Sequence, residues 1–341
     1  MHRNVIVVGA SAGGVEALRT LVGGLPADLP AVVLVVLHVP PYGGSVLPAI
    51  LDRSGPLPAR HPESGQALTP GAVWVAAPDH HLAVRNNRIA LTRGPHENGL
   101  RPAVDVLFRS AARSLGARVI GVVLSGVLDD GTAGLSAIAA RGGVTVVQDP
   151  QDALYPGMPT SAIEHVNVDY VVPVGDIADL LVRLCKEQVA QTEPPVSPLM
   201  AIEADMALMD DDAMNLSVRP GRPSGFSCPD CSGVLWEIHE GNLIRYRCRV
   251  GHAWSAESLL GEQSEQLDSA LWMALRGLEE KAALAKTMEQ RATERGNPLT
   301  AGRYSEQAEA ATRAASLIRS MLESHLGASR AESVPDTAEG R

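Results

Sequence analysis

Aromatic residues are scarce in this 341-residue chain. Two Phe, four Trp and five Tyr make up 3% of it, so the core has to be built mainly from Val, Leu, Ala and Ile. There are four cysteines, three of them between positions 228 and 248, too few and too clustered for a disulfide scaffold. Positive charge is in deficit: 29 Lys and Arg stand against 39 Asp and Glu, a net charge of −10. That argues against general nucleic-acid binding, which needs a basic footprint. No apolar run approaches the roughly 20 residues that span a bilayer, so no membrane insertion is expected. The first strand starts almost at Met1 and leaves no space for a signal peptide. A cytoplasmic protein is expected. What the chain has is 45% hydrophobic residues, enough for a sizeable core, and room for two domains or one domain with an appendage.

The stretch Val5-Ile6-Val7-Val8-Gly9-Ala10-Ser11-Ala12-Gly13-Gly14 organises the rest. Four β-favouring apolar residues read as a strand buried on both faces, and Val15 to Arg19 reads as helix. A dinucleotide turn wants Gly-x-Gly-x-x-Gly; here Ser11 stands at the second glycine. Gly9-x-Ser11-x-Gly13 has the spacing of a nucleophile elbow, where small neighbours let a tight turn present the hydroxyl at the sheet edge. On these residues alone, a phosphate-binding or merely structural turn stays open.

Further buried strands read at Ala31–Leu37, Ala72–Val75, Val119–Leu124, Val144–Val147 and Tyr170–Val172, with a hairpin around Asn86-Asn87. A helix opened by Pro102 places Val104, Leu107, Phe108, Ala111 and Leu115 on one face. Another closes the region from Asp176 to Val189, carrying Cys185, a lone buried thiol. Alternating buried strands and helices predict an α/β fold, a doubly wound, mostly parallel sheet with a β-hairpin. Its functional groups belong at the carboxyl ends of the strands. Ser11, His38 and Asp130 follow three such ends. Serine, imidazole and carboxylate are the parts of an acyl-transfer triad. Each also has a plain structural use: His38 as a strand cap, Asp130 as a turn residue or cap of the following helix. By spacing, Asp129 is as good an acid as Asp130.

Six segments carry a resemblance: Gly9–Gly14, Leu37-His38-Val39-Pro40-Pro41, Ala77-Pro78-Asp79-His80-His81, Arg101–Phe108, Leu124–Gly131 and Pro156-Gly157-Met158-Pro159. In order, over about residues 1–190, they resemble the catalytic domain of the chemotaxis protein-glutamate methylesterases, the CheB family. The resemblance implies Ser11 as nucleophile, His38 as base and Asp130, not Asp129, as orienting acid. It implies an oxyanion hole of backbone amides at Ala12 and at Val127, where the family has a methionine. No cofactor for catalysis is implied. Members hydrolyse glutamate 5-methyl esters on chemoreceptors, releasing methanol, and some deamidate receptor glutamines, so a methylated chemoreceptor or similar signalling protein is the implied partner. An esterase with another target, or a non-catalytic signalling module on the same fold, stays open. The family usually carries a receiver domain ahead of the esterase; here the resemblance begins at residue 1, so that control is expected to be missing.

Residues 191–225 read as an acidic, Pro-containing linker, a solvated tether more readily than a docking helix. Cys228-Pro229-Asp230-Cys231 and Cys248-x3-His252 have the ligand set of a closed, structural zinc site, predicting a zinc ribbon over 226–256. Leucine and alanine stripes on either side of Gly296-Asn297-Pro298 predict a helical hairpin or coiled coil over 257–326, with a partner surface on its helices. Residues 327–341 are expected to be a disordered tail.

Overall fold

The computed structural model describes residues 2–189, 194–215 and 220–332, with side chains as far as residue 323. The chain divides into two compact units, Met1–Leu260 and Gly261–Arg341.

In the first unit, strands β1 (Val5–Ala10), β2 (Val32–Leu37), β3 (Ala59–Arg60) and β4 (Val73–Val75) are followed by an antiparallel hairpin of β5 (His81–Arg85) and β6 (Arg88–Thr92), then by β7 (Val119–Val123), β8 (Val144–Gln148) and β9 (Tyr170–Val172). All but the hairpin form one parallel sheet in the order β3-β4-β2-β1-β7-β8-β9. Both faces of β1 and β2 are buried. Ile6, Val8, Val33 and Val35 enter one apolar layer, Val5, Val7, Val32 and Leu34 the other, as the two-residue period of a strand requires. Helices α1 (Gly14–Gly24) and α2 (Leu47–Asp52) cover the first face; α3 (Val104–Leu115), α4 (Thr132–Ala140) and α5 (Gly157–His165) cover the second; α6 (Val174–Leu184) returns to α1. The sheet grows outward from β1 in both directions, so the crevice at its carboxyl edge opens beside β1, where such folds place their sites.

Among its described residues, the expected tether of residues 191–225 is not a solvated chain but holds a packed helix. Ser197 caps α7 (Pro198–Ala207) by accepting from the Met200 amide at 3.1 Å. Met200 is buried in the layer of Leu107 and Phe108, and Ala207 packs with Ala103 and Val106. The acidic count misleads because Glu203 is itself buried, at 1% exposure, among arginines. A short α8 (Asp211–Met214) follows; residues 190–193 and 216–219 lie outside the described part. Strands β10 (Arg222–Ser227), β11 (Val234–Glu240), β12 (Leu243–Cys248) and β13 (Ala253–Ser255) then make a separate antiparallel sheet. Its small core holds Leu235, Tyr246 and Trp254.

The second unit is a helical hairpin. Helix α9 (Ala256–Glu294) and helix α10 (Pro298–Glu332) meet along a seam of Leu271, Leu275, Leu278, Ala315, Ile318 and Leu322. The tail expected from residue 327 is still helix as far as Glu332, and residues 333–341 lie outside the described part.

Candidate active site

Register brings Ser11 and His38 together. Ala10 pairs with Leu37 across β1 and β2, so Ser11 and His38 are the next residues on adjacent strands, and the His38 amide donates to the Ala10 carbonyl at 3.3 Å. His38 Nε2 lies 2.8 Å from Asp130 Oδ2, with the imidazole 10% and the carboxylate 2% exposed. Nδ1 is therefore the ring nitrogen left on the side away from the acid, where a serine proton can be received. Sequence-expected Ser11, His38 and Asp130 thus share one edge, with the His38–Asp130 hydrogen bond formed.

Asp130 does not cap the helix that follows it. Its Oδ2 accepts from the Val104 amide at 2.7 Å and its Oδ1 from the Asp105 amide at 3.2 Å, so it caps α3, whose own N-cap is an alanine. In return, Asp105 Oδ1 accepts from the Gly131 and Gly134 amides at 3.1 and 2.6 Å and caps α4. Each carboxylate thus sits against the positive end of the other segment's helix. Burial first, and then the Asp130 charge, push the Asp105 carboxyl above the ordinary range, although the Gly134 amide opposes them. Asp129 points elsewhere: its Oδ1 accepts from the hydroxyls of Ser255 and Ser258 at 2.8 and 2.9 Å.

The loop after β7 is held by groups that sequence reasoning does not find. Gln148 Oε1 accepts from the Ser125 amide at 2.9 Å, and Ser125 Oγ donates to the Ala12 carbonyl at 2.8 Å. Gly126 is required: a Cβ there would collide with Met158 Sδ and stand 2.9 Å from Ser11 Cβ. Among the described residues the Ala12 and Val127 amides meet no protein acceptor, so both remain available as donors. Val127, Leu128, Leu154 and Tyr155 form an exposed apolar rim on the two loops beside them. Asn98 is the fourth such group: its Nδ2 donates to Asp130 Oδ1 at 3.2 Å. The only sequence signal for it is Asn98-Gly99, a turn dipeptide. Nearby His81 is fully buried, with Nδ1 accepting from the Ala103 amide and Nε2 donating to the Pro95 carbonyl. Burial holds its imidazole down at about 4, so it is neutral and structural.

The family described as CheB methylesterase matches residues 6–181 of this sequence. The chain belongs to the CheB methylesterase family. A protein-glutamate methylesterase/protein-glutamine glutaminase of Symbiobacterium thermophilum is 38% identical over 188 residues, 55% of this chain and 52% of that protein. A second protein of that name, from Methanosarcina mazei, is 37% identical over 192 residues, 54% of this chain and 52% of that protein. The chain spans about half the length of these curated relatives. The crystal structure of the Thermotoga maritima CheB methylesterase catalytic domain superposes with a TM-score of 0.52 at 33% identity, covering 54% of this chain and 100% of that one. No helix among the described residues is long and apolar enough to cross a membrane.

Beyond the CheB-like region, Cys228, Cys231, Cys248 and His252 converge, with their ligand atoms all within 4.8 Å of one another. Cys231 Sγ and Cys248 Sγ are 3.7 Å apart, and His252 Nδ1 is 3.7 Å from Cys228 Sγ and 3.6 Å from Cys248 Sγ. A tetrahedron with metal–sulfur and metal–nitrogen bonds of about 2.3 and 2.0 Å has edges of roughly 3.8 and 3.6 Å. The four donors therefore fit an ion of that size.

Proposed function

We propose that this chain is a serine hydrolase that removes methyl groups from glutamate 5-methyl esters on a chemoreceptor-like signalling protein. The observation that carries this reading is the His38–Asp130 pair at 2.8 Å on the strand edge next to Ser11, in a chain of the CheB family. Ser11 Oγ attacks the ester carbonyl while His38 takes its proton at Nδ1. The amides of Ala12 and Val127 receive the oxyanion. His38 returns the proton to the leaving oxygen, methanol departs, and water hydrolyses the acyl-serine with His38 again as base. A glutamine side chain enters the same sequence with ammonia leaving, which makes deamidation the accompanying activity. The exposed apolar rim suits a protein surface rather than a small enclosed substrate. The reaction needs no cofactor and takes place in the cytoplasm, where the signalling domain of such a receptor is met. The helices of the second unit, with Leu267, Trp272 and Leu284 exposed, serve as the recruiting surface.

The test uses a receptor peptide carrying a glutamate methyl ester in heavy-oxygen water. Methanol should be released with ordinary oxygen, while the new carboxylate carries one labelled oxygen, the pattern of acyl-oxygen cleavage. Labelled methanol, or no methanol from any such peptide, would refute the reading.

The Cys3His cluster is proposed to hold a structural zinc ion, making β10–β13 a zinc ribbon. All four positions are filled by protein donors, which leaves none open for catalysis. Metal analysis of the purified full chain should find about one zinc per chain, and a chelator should loosen residues 222–255. Full-length protein reconstituted with zinc that holds none would defeat this assignment.

A further inference from the structure

The C-terminal antiparallel sheet is seated on the acid end of the candidate site. We propose that this sheet is part of the esterase's catalytic framework, with Asn98 as the positioning residue that ties strand β13 to the Asp130 carboxylate. The proposal rests on the esterase reading above and adds a role for residues outside the CheB-like region.

Asn98 uses its whole amide group. Its Nδ2 donates to Asp130 Oδ1 at 3.2 Å, its Oδ1 accepts from the Ser255 amide at 2.8 Å, and its backbone amide donates to the Ala253 carbonyl at 2.7 Å. Its φ of +54° is a left-handed conformation that asparagine tolerates better than most residues. The nearby His96 carbonyl accepts from the Ala253 amide at 3.1 Å, so residues 96–98 are joined to β13 by one isolated parallel bridge at Glu97. Between them, Glu97 is buried and bonded to Arg109 of α3 and to Arg247 of β12. The junction of β13 and α9 holds the same loop a second time, because the Ser255 and Ser258 hydroxyls both donate to Asp129. Acid loop and sheet are thus bonded at both aspartates.

This matters for Asp130 because four donors fix its two oxygens. His38 and Val104 hold Oδ2 at 2.8 and 2.7 Å; Asp105 and Asn98 hold Oδ1 at 3.2 Å each. Without Asn98, Oδ1 keeps one long bond. The carboxylate can then rotate, and Oδ2 leaves the line of His38 Nε2. The metal-ligand cluster is one residue from this contact, since Ala253 follows His252. Gly251, at φ +103°, lets that turn approach Pro95: a Cβ there would lie 2.8 Å from Pro95 Cγ. An intact Cys3His cluster therefore sets the place of Ala253 and Ser255, and through them of Asn98.

The test compares Asn98→Ala, Asn98→Asp and zinc-stripped protein with the untreated full chain, on p-nitrophenyl acetate. Asn98→Ala should lower kcat on the order of 10-fold or more with KM little changed. Asn98→Asp keeps the acceptor for Ser255 but sets a carboxylate against Asp130, beside Asp105 and Asp129. Extra negative charge there favours the charged imidazole, so the acidic limb of its kcat/KM profile should move to higher pH. Stripping the zinc should raise amide exchange at Asn98 and Ser255 and lower kcat together, and zinc should restore both. The proposal is overturned if Asn98→Ala keeps the full kcat, if the Asn98→Asp profile keeps its limb, or if stripping frees those amides while kcat is unchanged. An untreated chain inactive on every ester tried would overturn the esterase reading itself.

Discussion

Ser11→Ala and His38→Ala should each lose on the order of 10³-fold or more in esterase turnover, and the double variant should lose little beyond either single, because the two act as one unit. Proton transfer to His38 is useless without the Ser11 hydroxyl, and the hydroxyl is a weak nucleophile without the base. The two aspartates should separate sharply. Asp130 accepts from four donors, two on each oxygen. An asparagine has one acceptor oxygen, so whichever way it is turned its NH2 faces two N–H groups. Asp130→Asn should therefore be nearly as damaging as Ser11→Ala. In Asp129 the serine hydroxyls both donate to Oδ1, an acceptor that asparagine retains, and Asp129→Asn should stay within several-fold of the parent. Steady-state rates on a small ester measure all of these. Parental rates in Ser11→Ala would remove the serine mechanism, whereas exchanged aspartate phenotypes would remove only the assignment of the acid.

The second large effect is on stability. Glu203 of α7 lies at the centre of a buried ion network: Arg245 grips it with two bonds of 2.9 and 2.7 Å, Arg247 reaches it at 3.2 and 3.1 Å, and Arg109 approaches at 3.5 Å. Arg109 and Arg247 also share Glu97. The network joins α3, α7 and β12 and explains why α7, inside the stretch 191–225 expected to be a tether, is packed down instead. Glu203→Ala leaves buried guanidinium groups short of a partner and should cost about 3–5 kcal/mol. Asp205, on the same helix, makes a partly exposed pair with Arg113, and Asp205→Ala should cost only about 1 kcal/mol. Denaturant titration of the full chain decides; equal losses for the two would mean that the network does not hold α7 in place. The pH dependence has a definite sign. Burial alone would raise Glu97, but Arg109 and Arg247 outweigh it and hold the carboxyl down at about 2, against an ordinary 4.5. A carboxylate with a lowered value stabilises fully above its unfolded value and loses that contribution as pH falls toward the folded one. The stabilisation that Glu97 contributes should therefore be lost between about pH 4.5 and 2, and not on mild acidification above that range.

The parallel sheet was legible because its strands are buried on both faces and run as near-continuous Val, Ile and Leu, bounded by Gly and Asp. The places of Ser11, His38 and Asp130 at strand ends were legible for the same reason. The short strands β3 and β13 carry no periodicity of their own. The role of Asp130 as the cap of α3 is a contact across 26 residues of sequence, and no local pattern announces it. Composition misdescribes the stretch around α7: Pro194-Pro195 and a run of acids describe a solvated chain, yet one of those acids, Glu203, is neutralised by arginines that lie more than 40 residues later. Asn98 belongs with these. Its side chain is informative only once β13, 155 residues downstream, is known to lie beside it.

The most direct measurement is rapid-quench mass spectrometry of the full chain with p-nitrophenyl acetate. A burst of nitrophenol and a transient acetyl adduct that peptide mapping assigns to Ser11 should appear, and both should be absent in Ser11→Ala. An adduct on another residue, or steady hydrolysis with Ser11 never modified, would contradict it.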